Sequence, residues 1–143
     1  MPMFGKNDRQ RLLSQVTLFS ACTDKELDRL ARHAELVDFR AGEVLMTEGE
    51  SGHEFYVVVD GELGVTSGGQ TVAKLGPGAY VGEQALLDPG PRTATVTALR
   101  DTQAVLLSSR EFYAAVDDVP GLARKLLQGM ARRLREETGH PST

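Results

Sequence analysis

The apolar positions of the chain change period twice. Leu27, Leu30, Ala31 and Ala34 fall at helical spacing on one face. From Glu35 they come in short runs or alternate with polar residues, and after Ser108 they return to a spacing of three and four. The chain therefore opens helical, passes through a β region and closes helical. In the opening part, Asp8–Val16 is predicted as a short helix with Leu12, Leu13 and Val16 apolar, and Phe19 marks a packed turn. Residues 1–7 read as a loose start. Thr23 and Glu26 form a capping box, in which a hydroxyl and a carboxylate each satisfy a backbone amide at the start of the second helix.

The β region reads as Leu36–Phe39, Val44–Thr47, Phe55–Val59, Leu63–Val65, Thr71–Leu75, Thr93–Leu99 and Gln103–Leu107. Arg40–Glu43, Glu48–Gly52, Asp60-Gly61, Ser67–Gly69 and Gly76–Gly78 break it as turns and loops, Asp-Gly being a strong hairpin signal. Short strands with Gly-rich turns predict a mainly β fold, an eight-stranded jelly roll with flanking helices. Ser108 and Glu111 suggest a second capping box, leading to Phe112, Ala115 and Val116. A last helix is predicted to start at Asp117–Pro120, with Leu122, Leu126, Met130 and Leu134 in an apolar stripe. That stripe would pack on the barrel or, alternatively, on a second copy of the chain in a homodimer. Gly129 in mid-helix costs about 1 kcal/mol relative to Ala, which suggests a close helix contact. The tail from Thr138 to Thr143 reads as disordered.

Composition narrows the function classes. The 143 residues suit one domain, with 41% hydrophobic and 25% charged residues. Twenty acidic and sixteen basic side chains give a net charge of −4, which argues against nonspecific nucleic-acid binding over the whole surface. Cys22 is the single cysteine, so no internal disulfide or multi-cysteine metal site forms. No apolar run approaches the ~20 residues that span a bilayer. The first residues lack a signal-peptide apolar core, and the expected compartment is the cytoplasm. His33, His53 and His140 are scattered, which speaks against a metal-dependent enzyme of the jelly-roll class. No Ser–His–acid set suggests nucleophilic catalysis. The acidic loop of Glu48, Glu50 and Glu54 reads as solvated.

The chemistry concentrates in Val81–Val96, VGEQALLDPGPRTATV. Glu83 and Arg92 lie nine positions apart, joined by a short apolar turn and a Pro–Gly link. Gly82 lets a ligand approach the backbone of the turn, whose amides favour an anion. Arg92 donates parallel bonds to phosphate oxygens, and Thr93 adds a hydroxyl. Glu83, acceptor-only when ionised, suits a ribose hydroxyl.

Gly82-Glu83-Gln84-Ala85-Leu86-Leu87 followed by Pro91-Arg92-Thr93-Ala94-Thr95-Val96 resembles the phosphate-binding cassette of cyclic nucleotide-binding domains. These occur in catabolite activator proteins, kinase regulatory subunits and gated channels. Gly42-Glu43, Gly49, Gly52 and Tyr56-Val57-Val58 before Gly61 are similar to the upstream pattern. The resemblance runs from about residue 10 to residue 137 and implies a single domain over 1–143 that senses cyclic AMP or cyclic GMP, with cyclic AMP favoured. It implies that Glu83 holds the ribose 2′-hydroxyl and Arg92 the exocyclic phosphate oxygen. Gly82, Gln84 and Ala85 would complete the cradle, and Thr93 would reach the phosphate or base. The C-terminal helices would act as a lid that repositions on binding. Val81 and Gln84 depart from the family, which usually has an aromatic and an aliphatic residue there. Seven residues follow Glu136, too few for a helix-turn-helix domain, so the expectation is a module without a DNA-binding domain. The alternatives are a sensing fragment of a larger regulator or channel, or a degenerate domain that binds protein without nucleotide. No metal, cofactor or catalytic residue is expected, and the downstream partner is not legible.

Overall fold

The structure, a computed structural model, describes residues 6–138. Residues 1–5 and 139–143, which hold most of the expected loose start, the tail and His140, lie outside them. The fold divides into two compact units. One is the β unit Ala34–Phe112, and the other is helical, built from the chain up to His33 and from Tyr113 onward.

In the β unit, ten strands follow in order: β1 (Glu35–Phe39), β2 (Val44–Met46), β3 (Ser51–Gly52), β4 (Glu54–Asp60), β5 (Leu63–Ser67), β6 (Gln70–Leu75), β7 (Tyr80–Val81), β8 (Gly90–Pro91), β9 (Thr95–Ala98) and β10 (Thr102–Ser108). They form antiparallel sheets of order β1-β10-β4-β7 and β2-β9-β5-β6, with a small β3–β8 ladder. The architecture is the expected mainly β fold with flanking helices. Ten strands form rather than eight: to the seven stretches that the pattern marks are added the short β7 and two stretches that read as turns and pair with each other. Ser51 faces Pro91 and Gly52 faces Gly90. Pro91 has no N–H to give a ladder, so the join is extended by its neighbours. Gly49 N–H donates to the Arg92 carbonyl and Arg92 N–H to the Glu50 carbonyl, both at 2.8 Å.

Alternation places Met46, Tyr56, Val58, Leu63, Val65, Val96, Ala98 and Ala104 in one buried cluster. Burying each large aliphatic side chain there stabilises by roughly 1.5–3 kcal/mol. β4 is buried on both faces over Phe55–Val58, which is why it reads as an unbroken apolar run. Phe55 meets Tyr80 edge-on at 6.0 Å, and Tyr56 meets Phe39 at 5.7 Å. At the Asp60-Gly61 turn, the buried Thr102 hydroxyl donates to the Arg100 carbonyl (2.8 Å) and accepts from Glu62 N–H (3.1 Å). A short helix, α3, spans Gln84–Leu87.

The helical unit opens with α1 (Lys6–Ser14), so the helix starts two residues earlier and stops two residues sooner than the pattern predicts. A 3₁₀ turn at Thr17–Phe19 follows, with Leu18 and Phe19 buried. In α2 (Asp24–Ala31), Leu27, Leu30 and Ala31 are buried on one face. Both capping-box bonds form, Thr23 N–H to Glu26 Oε1 at 2.7 Å and Glu26 N–H to Thr23 Oγ1 at 3.2 Å. Ser108 Oγ accepts from Glu111 N–H (3.2 Å) at the start of α4 (Ser109–Asp118).

The last helix, α5, spans Leu122–Thr138, not from Asp117. Asp117 and Asp118 finish α4, and Val119–Gly121 turn the chain, with Gly121 at φ +83° where other residues are strained. Leu122 and Leu126 are buried, whereas Leu134 is exposed, so only the first half of the stripe is core. α5 seats on the 3₁₀ turn. A Cβ at Gly129 would overlap the Leu18 carbonyl. Arg132 Nη1 donates to Ser20 Oγ (3.0 Å), and Thr17 Oγ1 donates to Glu136 (2.9 Å). Among the described residues, no helix is long and apolar enough to cross a membrane.

Candidate functional site

Arg92 is the centre of the site, and backbone holds it on every side. Its own N–H and C=O are clamped to the loop at Gly49 and Glu50. Its side chain then runs across Gly52, so closely that a Cβ there would overlap Nε and Cζ of the guanidinium. Nη2 donates to the Glu54 carbonyl at 2.8 Å. Among the described residues this is the guanidinium's one hydrogen bond, and Nε is buried without a partner. A guanidinium carries five N–H donors. It is therefore oriented by one bond to main chain and keeps donors for an anion.

Gly82 forms the opposite wall. It adopts φ +88°, which a residue with Cβ reaches only under strain. A Cβ built there would lie 2.6 Å from the Glu54 carbonyl oxygen, 3.0 Å from Arg92 Nη1 and 3.4 Å from Met46 Cε. The two ends of the sequence motif thus converge on the backbone of β4. Glu83 follows directly. It is half-buried, sits in helical conformation before α3 and makes no side-chain cap on that helix.

The remaining candidates divide. Ala85 is buried, and its N–H donates to the Gly82 carbonyl at 3.0 Å, which closes the turn. Gln84 and Thr93 are exposed. Tyr56 stands within electrostatic range. Burial pushes its phenol above the ordinary 10.0, the Glu54 carboxylate adds to the rise and Arg92 opposes it. Among the described residues, no group of three or more His, Cys, Asp and Glu is placed to hold a metal ion.

Two contributors have roles that the sequence does not disclose. Gly52 reads as one loop glycine among several, yet its missing Cβ makes the channel for the guanidinium. The Glu54 carbonyl is main chain, and only the strand register brings it to Arg92. The arrangement suits an anion whose oxygens face the guanidinium donors that the Glu54 carbonyl leaves open.

Comparison with known proteins identifies the family. Residues 36–118 match the family model of the cyclic nucleotide-binding domain. The chain is 32% identical over 135 residues to the Pycsar effector protein XpPycTIR of Xanthomonas perforans, covering 92% of this chain and 45% of that protein. It is 33% identical over 124 residues to the cyclic AMP receptor protein of Thermus thermophilus, covering 83% and 57%. The chain thus spans about half the length of these curated relatives. Among solved structures, the N-terminal domain of a transcriptional regulator from Streptomyces coelicolor A3(2) superposes with a TM-score of 0.81 at 33% identity, over 90% of this chain and 93% of that one.

Proposed function

Since the chain belongs to the cyclic nucleotide-binding domain family, we propose that it is a non-catalytic sensor that binds a cyclic nucleotide at the Gly82–Thr93 cassette. The observation that carries this reading is the seated guanidinium. Arg92 is aimed by a single backbone carbonyl and retains unpartnered donors beside a glycine wall. In this reading Arg92 takes the exocyclic phosphate oxygen and Glu83 takes the ribose 2′-hydroxyl. Gly82, Gln84 and Ala85 line the phosphate, with the Ala85 amide exchanging its turn bond for a ligand oxygen. Thr93 offers its hydroxyl to the phosphate or base. The similarity to the cyclic AMP receptor protein supports cyclic AMP over cyclic GMP.

Binding is further proposed to reposition α5, which requires that the ligand bind one of two states more tightly. Deuterium exchange over residues 122–138, with and without nucleotide, tests that step. The exposed Leu127 and Leu134, at 66% and 59%, support self-association through α5, which light scattering reads directly.

Calorimetry with cyclic AMP and cyclic GMP tests the core of the proposal. Arg92→Ala is expected to weaken binding by about 2–3 kcal/mol, the range of a hydrogen bond to a charged group. An absence of heat from either nucleotide at high micromolar concentration would refute the sensor.

A further inference from the structure

The segment Arg92–Thr95 is held from two sides. The loop Gly49–Glu50 clamps Arg92 by both of its backbone groups. From the other side comes the tip of the β5–β6 hairpin, where Ser67 Oγ donates to the Thr93 carbonyl at 3.1 Å. Glu48 ties the two together. Its N–H donates to Thr95 Oγ1 at 3.0 Å, and its Oε1 accepts from Gly68 N–H at 3.1 Å. The sequence reads Glu48 as one of three solvated acids. In the structure its carboxylate takes a charge-assisted bond from a hairpin twenty residues away in the chain.

We propose that Glu48 and Ser67 are positioning residues for the anion site, and that the β5–β6 hairpin tip is its brace. The inference rests on the reading of Arg92 as the anion-binding residue. The clamp at Gly49 and Glu50 fixes the peptide groups of Arg92 itself. The next peptide plane, which sets the direction in which Thr93 leaves, is fixed by Ser67. Glu48 keeps the hairpin tip in place to do so. Because Glu48 and Gly68 are exposed and Ser67 is partly so, these bonds contribute little to global stability. Their effect therefore falls on the local direction of the chain at 92–93. Linkage makes the coupling reciprocal: if the brace raises ligand affinity, the ligand protects the Gly68 amide by the same factor.

The test uses Ser67→Ala, Glu48→Ala and Glu48→Gln in the full chain. In nitrogen-15 NMR without nucleotide, both alanine variants are expected to move the Arg92 and Thr93 amide signals. Glu48→Gln, whose amide oxygen still accepts from Gly68, should leave them near the wild-type positions. Cyclic AMP affinity should fall about three- to tenfold in each alanine variant and recover to within about twofold in Glu48→Gln, the scale of one lost hydrogen bond. The double alanine variant should lose less than the product of the two, since both act on one segment. Stationary Arg92 and Thr93 signals in both alanine variants overturn the brace whether or not any nucleotide binds. A wild type that binds cyclic AMP with affinity unchanged by either substitution overturns it too. A wild type that binds no nucleotide defeats the sensor reading alone, and the NMR comparison still decides the brace.

Discussion

Replacing Gly52 by alanine isolates the seat of Arg92 from the rest of the site. Gly52 is not in a left-handed conformation, so alanine fits the backbone without strain. In the open chain the change even favours folding, by about 0.4–1 kcal/mol. The three atoms nearest the new methyl group all belong to the Arg92 side chain: Cδ lies 2.5 Å from the Cβ position, with Nε and Cζ closer still. That is well inside van der Waals contact, so the side chain has to leave. Its bond to the Glu54 carbonyl goes with it. Loss of the charged donor at the ligand costs about 2–3 kcal/mol, which is roughly 30- to 150-fold in affinity at 1.36 kcal/mol per decade. Gly52→Ala should therefore approach the affinity of Arg92→Ala for cyclic AMP. The decisive comparison is the double variant, measured by calorimetry and thermal melting. Once Arg92 is alanine the channel is empty, and Gly52→Ala should cost no further affinity and should restore stability. The reasoning fails if Gly52→Ala binds like the wild type, or if it costs another order of magnitude in the Arg92→Ala background.

Other substitutions probe the frame. Gly129→Ala would raise the stability of an ordinary helix by about 1 kcal/mol. Here the methyl group overlaps the Leu18 carbonyl, so the sign reverses to a loss of about 1–3 kcal/mol, seen as a lower melting temperature. Thr102→Val keeps the shape but strands Glu62 N–H and the Arg100 carbonyl; denaturant unfolding should show a loss of about 1–3 kcal/mol. Cys22, half-buried and close to Glu26, has its thiol pushed up from 9.0 to about 11, by burial first and by that carboxylate second. The raised value favours the protonated form in the folded state. Its contribution to stability is intact below pH 9 and is lost as pH rises through about 11. Alkylation by iodoacetamide at pH 8 should run about 100-fold slower in folded than in unfolded protein, following the thiolate fraction.

Much of this architecture is legible in the residues because local chemistry sets it. Thr23 and Glu26 predict their reciprocal bonds, and both form. Alternation in Thr93–Leu99 predicts a strand, and Thr95–Ala98 forms one with Val96 and Ala98 buried. What stays hidden is set by pairing between distant segments. Gly49–Gly52 and Pro89–Pro91 each look like plain turns, and only their meeting makes a ladder. The sequence pattern puts the boundary between the last two helices too early, because Asp117 and Asp118 before a proline resemble a helix start. Gly121, with its positive φ, puts the break after them. Within the site, the spacing of Glu83 and Arg92 marks the motif, and the structure brings Gly82, next to Glu83, against Arg92. The part played by Gly52 is not recognisable, since a missing side chain leaves no mark that tells what fills its place.

The seat of α5 on Leu18 limits the displacements open to that helix. Main chain rests there against main chain, and Gly129 is the single glycine of α5. A slip of one turn, about 5.4 Å, would bring Lys125 or Arg133 to the same carbonyl, and a rotation by one residue would bring Gln128 or Met130. Each carries a Cβ where none fits. Gradual sliding is thus barred. Any displacement of α5 would require either that it leave the Thr17–Phe19 turn altogether or that the two move as one body with the Arg132–Ser20 and Thr17–Glu136 bonds unbroken.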